Sequence, residues 1–189
     1  MRVKLEDVTE IVRGKMSEKR FNHVLGVVET AKKLAERHGV DVNTAEIAAL
    51  VHDISKEQPL EQTAGILRIT GEETYLKHSE KVWHAPMGAI VAKELFGIEN
   101  TDILNAIKYH TTGRPKMSQL EKVIFVADYT EPNRTFKGAI AVRDLWYDLD
   151  VAVYEILKQK IEKGIALGVS MHPDTMAAYE YYHELAKGE

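Results

Sequence analysis

Six polar residues in this sequence are of types that suit metal binding, and five of them lie beside strongly apolar neighbours. Burying an imidazole or a carboxylate costs several kcal/mol unless another group pairs with it. Imidazole nitrogen and carboxylate oxygen together suit iron, manganese, zinc or nickel better than magnesium or calcium. The pattern therefore predicts a metal site. The six residues are His23 in RFNHVLGV, the adjacent pair His52 and Asp53 in AALVHDISK, His84 in WHAP, His110 in IKYHTTGRP and Asp128 in VIFVADYTEP.

His52 and Asp53 are neighbours in the chain, and this adjacency has a use in a metal site. On a helix, two successive side chains diverge by about 100°. His52 can then bind one ion while Asp53, which has two carboxylate oxygens, bridges towards a second. A single histidine on an apolar face is more often a satisfied core residue, and a His-Asp pair is common by chance. On the residues alone, a metal site and incidental burial are equally open alternatives.

The elements that must position these side chains are helices. Apolar residues recur at helical spacing through most of the chain, as in Ile47, Leu50, Val51 and Ile54. No segment shows a sustained alternation with enrichment in β-branched residues, so we predict an all-α fold without substantial sheet. Several of the histidines fall at helix ends. The predicted helices lie near residues 5–16, 18–38, 43–54, 59–70, 86–96, 101–111, 118–130, 149–167 and 173–187.

Capping residues support several of these helix boundaries. Asn43 precedes Glu46 by three positions, and Ser118 precedes Glu121 in the same way, so both pairs resemble capping boxes. Gly97 is expected to end the helix that begins near Pro86, whose side chain suits a first turn. Two further start signals are Asp148, as the cap of the helix at 149–167, and Pro173, at the start of the last helix.

Composition restricts the class of protein. A chain of 189 residues suits one compact domain, or one domain with a small helical appendage, and can fold without a disulfide or a structural metal. The net charge of −4 argues against a general nucleic-acid binder, and no apolar stretch is long enough to span a membrane. The N-terminal segment lacks an apolar run of signal-peptide length. The absence of cysteine fits a reducing cytoplasm. A homodimer is left open.

The order of the proposed ligands resembles a known superfamily. His23, then His52-Asp53, then Asp128 is similar to the H…HD…D pattern of the HD-domain phosphohydrolases. The longer segments HAPMGA and AIKYHTTGRPKMSQLEKVIFVADYTEPNR, and the late His-Pro step, resemble one family within it, the YqeK family of bacterial symmetrical dinucleoside tetraphosphate hydrolases. The resemblance runs from about residue 18 to residue 176.

This resemblance implies an architecture. The expected fold is an all-α HD-domain bundle of roughly eight to ten helices. We expect a single domain over residues 1–189 with a core at about 18–130, on which C-terminal helices at about 139–187 pack and close a nucleotide site.

The resemblance also implies a metal centre and a reaction. His23, His52, Asp53 and Asp128 would hold one divalent ion, and Asp53 would bridge to a second ion that His84 and His110 complete. The family is described with iron, and manganese or another transition metal is the alternative. Water activated between the two ions would cleave a dinucleoside tetraphosphate symmetrically into two nucleoside diphosphates. Asp53, Lys56 and Asp128 are the expected catalytic residues.

Further residues are candidates for contacts with the nucleotide. We expect Arg20, Lys56 and Arg134 to contact phosphates, because Arg20 precedes His23 by one helical turn and Lys56 follows His52 by four residues. The alternative for these cations is an ordinary solvated side chain. Thr111, Thr112 and Gly113 could offer hydroxyl and N–H groups, or could simply end a helix, and His172 with Pro173 could contact the ligand or simply begin one.

Three other histidines, His38, His78 and His183, are given no role, and the last two are expected to be exposed. Two alternative functions remain. A different HD phosphohydrolase, acting on mononucleotides or deoxynucleotides, would use the same ions with another pocket. A nucleotide-sensing module without turnover would bind and not hydrolyse.

Overall fold

The computed structural model describes residues 5–187, and between these residues it contains ten α-helices, two short 3₁₀ helices and no strand. This agrees with the all-α fold expected from the sequence. The α-helices are α1 (Leu5–Arg13), α2 (Glu18–His38), α3 (Val42–Val51), α4 (Leu60–Ile69), α5 (His84–Phe96), α6 (Thr101–Tyr109), α7 (Gln119–Thr130), α8 (Lys137–Arg143), α9 (Leu149–Ala166) and α10 (Pro173–Lys187), and the 3₁₀ helices are Glu73–Lys77 and Glu80–Val82.

Most of the expected helix boundaries are present. Ser118 and Glu121 form the capping box at the start of α7, with each side chain bonded to the other residue's backbone N–H. Asp148 caps α9 by accepting hydrogen bonds from the N–H groups of Asp150 and Val151. Gly97 ends α5 in the left-handed conformation, with φ 63°.

The start of α3 differs from the prediction. The N-cap is Asp41, whose Oδ1 accepts the N–H of Thr44 at 2.7 Å, and Asn43 is inside the first turn. Both residues have side chains that can cap a helix, and the earlier one does so. The helix ends at Val51, so His52 and Asp53 follow it. His52 nevertheless keeps right-handed helical dihedral angles (φ −54°, ψ −37°), so the side chains of the pair still diverge.

The sequence patterns did not predict α8 or the two 3₁₀ helices. α8 has seven residues and buries only Ala139 and Val142, which is too little to produce a helical pattern. Its end is fixed by tertiary hydrogen bonds instead. The Arg143 guanidinium donates to the backbone carbonyls of Thr130, Glu131 and Arg134 at 2.8 to 2.9 Å.

The core is centred on α7, which packs against α2, α6 and α9. Its residues from Leu120 to Ala127 are all buried, including Glu121 and Lys122. α3 packs on α2 and α6, α5 packs on α6, and α10 packs on α9. A smaller apolar cluster of Leu67, Tyr75 and Met87 lies between α4 and α5. None of the helices between residues 5 and 187 combines the length and apolar character that crossing a bilayer requires.

Candidate metal centre

The six predicted ligands come from five helices or helix ends and meet around Asp53. The Asp53 Oδ2 atom lies 3.6 Å from His23 Nε2 and 3.5 Å from His52 Nε2. Its Oδ1 atom lies 3.1 Å from His84 Nε2 and 3.6 Å from His110 Nε2. The two oxygens of one carboxylate therefore face two separate pairs of imidazoles, which is the arrangement that a bridging ligand requires.

Asp128 joins the first of these pairs. Its Oδ1 atom is 3.0 Å from His23 Nε2 and 3.9 Å from His52 Nε2. In each of the two groups, His23–His52–Asp53 and Asp53–His84–His110, the potential ligand atoms lie within 4.8 Å of one another. The donor atoms, their number and their spacing fit divalent metal binding.

The histidine rings are oriented by hydrogen bonds on the side away from Asp53. His52 Nδ1–H donates to the carbonyl of Ala49 at 2.6 Å, and His110 Nδ1–H donates to that of Ile107 at 2.7 Å. Each bond selects the tautomer whose Nε2 lone pair points into the centre, as in metal-bound histidines. The Nε2 atom of His52 is buried and has no hydrogen-bond partner within the described residues. This orphaned nitrogen is an independent sign that an ion fits here.

Burial keeps the imidazoles in the form that binds metal. It lowers the pKa of His52 to about 4 and that of His84 to about 4, so both rings are neutral at pH 7. Burial alone would raise the pKa of the Asp53 carboxyl, but the facing imidazoles, that of His52 foremost, hold this pKa well below its usual range. Burial likewise opposes ionisation of Asp128, yet the adjacent His23 lowers the pKa of its carboxyl. Both carboxylates are therefore ionised at neutral pH.

Glu131 is a residue of this centre that the sequence reasoning missed. It is buried, and its Oε1 accepts the Nδ1–H of His23 at 3.0 Å while its Oε2 accepts the backbone N–H of Asn133 at 2.7 Å. A Cβ at Gly26 would lie 2.5 Å from Glu131 Oε2, so the absence of a side chain in α2 makes room for the carboxylate. The signal in the sequence was a carboxylate three residues after Asp128, within a segment already quoted for its resemblance.

The three predicted phosphate-binding cations surround the centre. Arg20 Nη1 donates to Asp53 Oδ2 at 3.0 Å, and Arg134 Nη2 donates to Asp128 Oδ1 at 3.4 Å. Lys56 Nζ lies 3.2 Å from His84 Nδ1. The Nε atoms of both arginines are buried without a partner in the part of the chain that the structure describes. Each guanidinium thus keeps donor capacity for a further acceptor.

Of the three residues that follow His110, Thr111 lines a pocket, whereas Thr112 and Gly113 do not. Thr111 lines a pocket of about 310 Å³ next to Asp128, and its hydroxyl has no partner among the described residues. Thr112 is fully buried, and Gly113 has φ 67° and packs near Phe125. The position of these last two residues fits the alternative considered for them, an ordinary helix stop.

His172 lines the same pocket, whereas Pro173 is exposed at the start of α10. The His172 ring is buried and stacks on Tyr75, with ring centroids 4.4 Å apart. His78 was expected to be exposed, but it is half-buried and contacts the His172 ring edge-on at 4.8 Å. That expectation was wrong because the 3₁₀ helix at Glu73–Lys77 folds His78 back towards α10.

The expectation for His183 was also wrong, since this residue is half-buried. Its ring stacks against Tyr179 at 5.6 Å, and its Nδ1 is 3.0 Å from the hydroxyl of Tyr154. His38, for which no role was expected, bonds through Nε2 to the carbonyl of Trp146 at 2.8 Å. Both histidines are held by protein groups away from the metal centre.

Lys160 is a second residue that the sequence did not single out. Its ammonium donates to the carbonyl of Thr111 at 2.7 Å and lies 4.4 Å from the centre of the Phe125 ring. Burial lowers the pKa of Lys160 to about 8. The side chain lines the 310 Å³ pocket together with Asp128. A lysine in helix α9 gave no signal in the sequence, because only the packing of α9 on α7 brings it to the centre.

Comparison with known proteins agrees with this geometry. The family model for the HD domain matches residues 20–133, which include all six proposed ligands. The chain belongs to the HD-domain family. The match ends just after the segment that carries Asp128 and Glu131, so Glu131 and all the proposed ligands lie inside the HD domain.

The HD-domain chain also has relatives of similar length. It is 42% identical over 178 residues to a symmetrical bis(5'-nucleosyl)-tetraphosphatase of Bacillus subtilis, covering 93% of this chain and 96% of that protein. It is 37% identical over 184 residues to the protein of the same name from Staphylococcus aureus, covering 95% and 94%. A crystal structure of a predicted HD superfamily hydrolase involved in NAD metabolism, from Clostridium acetobutylicum, superposes with a TM-score of 0.92 at 37% identity and covers 97% of this chain and 99% of that one.

Proposed function

We propose that this HD-domain chain is a metal-dependent hydrolase that cleaves dinucleoside tetraphosphates symmetrically into two nucleoside diphosphates. The observation that carries the proposal is the position of Asp53, whose two oxygens each face a pair of buried imidazoles. The substrate class comes from the relatives, which bear the name of that activity and align over nearly their whole length.

The proposed centre contains two divalent ions. His23, His52 and Asp128 would hold one, His84 and His110 would hold the other, and Asp53 would bridge them. Iron is the proposed metal, with manganese as the alternative, since imidazole and carboxylate donors suit both. When bound, such ions supply the Lewis acidity that activates water and offsets the charge of phosphate oxygens.

The chain's own residues orient the substrate for this reaction. Asp53 and Asp128 act as ionised, positioned carboxylates, and Lys56, Arg20 and Arg134 hold phosphate oxygens around them. The water oxygen bonds to one of the two central phosphorus atoms, and the central bridging oxygen leaves with the other half. Each product is then a nucleoside diphosphate, and the water's protons are distributed between the two products.

One nucleoside is proposed to occupy the 310 Å³ pocket between Asp128 and α10. Thr111 and His172 line it, and a volume near 300 Å³ is typical of small-ligand pockets. Thr112, Gly113 and Pro173 remain weaker candidates for contacts there. In this proposal the chain is one domain in which the C-terminal helices close the nucleotide site over the HD core.

The test is product analysis with metal content measured in the same sample. The protein purified with iron or manganese should convert diadenosine tetraphosphate into ADP alone. His52→Ala should remove both bound metal and activity while the helical circular dichroism is kept, and His183→Ala is the matched control because His183 lies outside the centre. Phosphate release from mononucleotides would favour the rival phosphohydrolase. Nucleotide binding without any turnover would favour the sensing module.

A further inference from the structure

A second pocket adjoins the metal centre, and Asp128 lines both it and the 310 Å³ pocket. It has a volume of about 440 Å³, and we call it the Phe136 pocket. The two pockets share three lining residues, Asp128, Lys160 and Lys163. A proposed metal ligand and two lysines therefore lie on the boundary between them, where the phosphates of a ligand that spanned both pockets would cross.

An exposed aromatic residue forms one wall of this pocket. Phe136 leaves 45% of its surface exposed, although a phenylalanine is usually buried. Its ring packs edge-on against Tyr129, with the centroids 5.3 Å apart and the planes at 87°. This contact orients the Phe136 ring, and the exposed part of the ring is what a ligand in the pocket could meet.

Hydrogen bonds hold Tyr129 and Gln159, which also line the Phe136 pocket. The Tyr129 hydroxyl donates to Gln159 Oε1 at 2.7 Å, and Gln159 Nε2 in turn donates to Glu155 Oε1 at 3.0 Å. A Cβ at Gly138 would collide with Gln159 Oε1, so the glycine in α8 lets that side chain reach the tyrosine. The aromatic pair is thus held in place by a hydrogen-bonded chain rather than by loose surface packing.

The charges that line the Phe136 pocket suit a polyphosphate. Arg134, Lys160 and Lys163 are its cations, and Asp128 is the acidic residue that lines it. A larger pocket of about 740 Å³ is lined by three carboxylates, Glu18, Glu57 and Glu131, together with three cations, Lys19, Arg20 and Arg134. The one ring that lines it is the imidazole of His23, which is itself a proposed metal ligand. The Phe136 pocket therefore combines what a nucleotide needs, an aromatic face beside a cationic boundary.

We propose that the Phe136 pocket binds the second nucleoside of the dinucleotide, with its base stacked on Phe136. This inference rests on the proposed function. Each pocket then holds one nucleoside, and the polyphosphate crosses the boundary formed by Asp128, Lys160 and Lys163. Symmetrical cleavage follows from this division, because a substrate held at both ends places its central bond over the centre.

The experiment compares a substrate with two nucleosides and a substrate with one. Diadenosine tetraphosphate needs both pockets, whereas adenosine 5'-tetraphosphate needs only one. Loss of one stacked base typically weakens binding about tenfold or more, so Phe136→Ala should lower the ratio of kcat/KM for the dinucleotide to kcat/KM for the mononucleotide roughly tenfold. Phe136→Trp should restore the ratio because it restores the aromatic face. The matched control is Ile140→Ala, which changes an exposed apolar residue of α8, four positions after Phe136, that does not line the pocket.

Equilibrium titration with ADP gives a second readout on the metal-loaded protein. The wild type should bind two ADP molecules per chain, and Phe136→Ala should bind one. A single ADP per wild-type chain, an unchanged ratio in Phe136→Ala, or a failure of Phe136→Trp to restore it would each overturn the inference. Failure of the proposed function looks different, since the wild type would then release no ADP from the dinucleotide.

Discussion

The candidate metal centre and the pockets proposed for the nucleosides are built in opposite ways. In the centre, the Nδ1 atoms of His23, His52 and His110 bond to protein acceptors, and Asp53 and His52 expose 3% and 0% of their surface. The pockets beside it are lined by the exposed Phe136, by lysines of α9 and by a histidine of the α10 start. In the proposed function, the centre would supply the chemistry and tolerate little change, whereas the pockets would select the ligand and could vary.

This contrast has a physical reason. A buried ion needs its ligands placed to within fractions of an ångström, and buried, hydrogen-bonded side chains on helices hold that precision. A nucleoside needs an apolar or aromatic face and some cations, which several arrangements can supply. Substitutions in the centre should therefore affect every substrate equally, whereas substitutions in the pockets should change some substrates more than others.

The largest effect is expected for Asp53→Asn. The amide keeps the shape of the side chain but removes the charge and one of the two oxygens that face the imidazole pairs. We expect loss of bound metal and a fall in kcat of at least about a thousandfold for all nucleotide substrates. Elemental analysis and product assays measure the two effects. Asp174→Asn is the control, and an Asp53→Asn protein with wild-type metal content would contradict the bridging role.

The next effect concerns the stability of the metal-free protein in acid. The pKa values of His52 and His84 are lowered by burial to about 4, so the folded state resists protonation that the unfolded chain accepts near pH 6.5. Stability should therefore fall as the pH is lowered from 6.5 towards 4, by roughly 3 kcal/mol for each ring. Urea unfolding of chelator-treated protein measures this.

A matched variant sharpens that measurement. His84→Asn cannot titrate, so the slope of its unfolding free energy against pH should be shallower than that of the wild type. His183→Asn, in which a half-buried histidine outside the centre is changed, is the matched control. Equal slopes in all three proteins would mean that the centre does not control the acid response.

The sequence predicted the centre better than it predicted its surroundings. His52, His84 and His110 were recognisable because each is a polar residue in apolar sequence at a helix end, a local property. Their meeting around Asp53 followed from the order of the ligands and its resemblance to a known family. The helix starts at Ser118 and Asp148 were also local, and both are present.

What the sequence did not predict depends on long-range contacts. Glu131 faces His23 across 108 positions of the chain, in a turn that the Arg143 guanidinium holds by its carbonyls. Lys160 reaches the centre only because α9 packs on α7. The prediction that Asn43 caps α3 was wrong for a different reason. Asp41 and Asn43 have equivalent capping chemistry, and only the course of the backbone decides which of them caps the helix.

Glu131→Gln should lower metal affinity less than the loss of a ligand does, because Glu131 supports the ligand His23 and is not itself a proposed ligand. The amide oxygen can still accept the His23 Nδ1–H, but the negative charge that makes the imidazole a stronger ligand is gone. Metal affinity should fall about ten- to hundredfold. Competition with a chelator measures it, and Glu18→Gln, a carboxylate exposed at the neighbouring pocket, is the control.

Gly26→Ala tests the contact between Glu131 and His23 through the residue of α2 that makes room for the Glu131 carboxylate. Its Cβ would lie 2.5 Å from Glu131 Oε2, so it should displace the carboxylate and reproduce the loss of affinity. Gly65→Ala is the control, because nothing lies within 4 Å of that position in α4 and alanine favours a helix. If both glycine variants bind metal like the wild type, Glu131 is structural only.

The smallest effect is expected for Lys160→Met. Unlike the substitutions in the metal centre, it should change KM and leave the metal content unchanged. Methionine keeps an unbranched apolar side chain over the Phe125 ring but removes the ammonium at the boundary of the two pockets. Metal content should be unchanged, while KM for diadenosine tetraphosphate rises roughly tenfold through the loss of one charge-assisted contact. Lys158→Met, two residues away on the same helix and outside both pockets, is the control.

The pH dependence of KM identifies the charge as the cause. Because burial lowers the pKa of Lys160 to about 8, the wild-type ammonium loses its proton as the pH rises through that value. The wild-type KM should therefore increase above pH 8 and approach that of Lys160→Met, whose own KM should change less over the same range. If Lys160→Met loses metal, or shows the same rise in KM with pH as the wild type, Lys160 is a structural residue of the metal centre. The metal centre and the pockets beside it would then not differ in the way that their substitutions affect substrates.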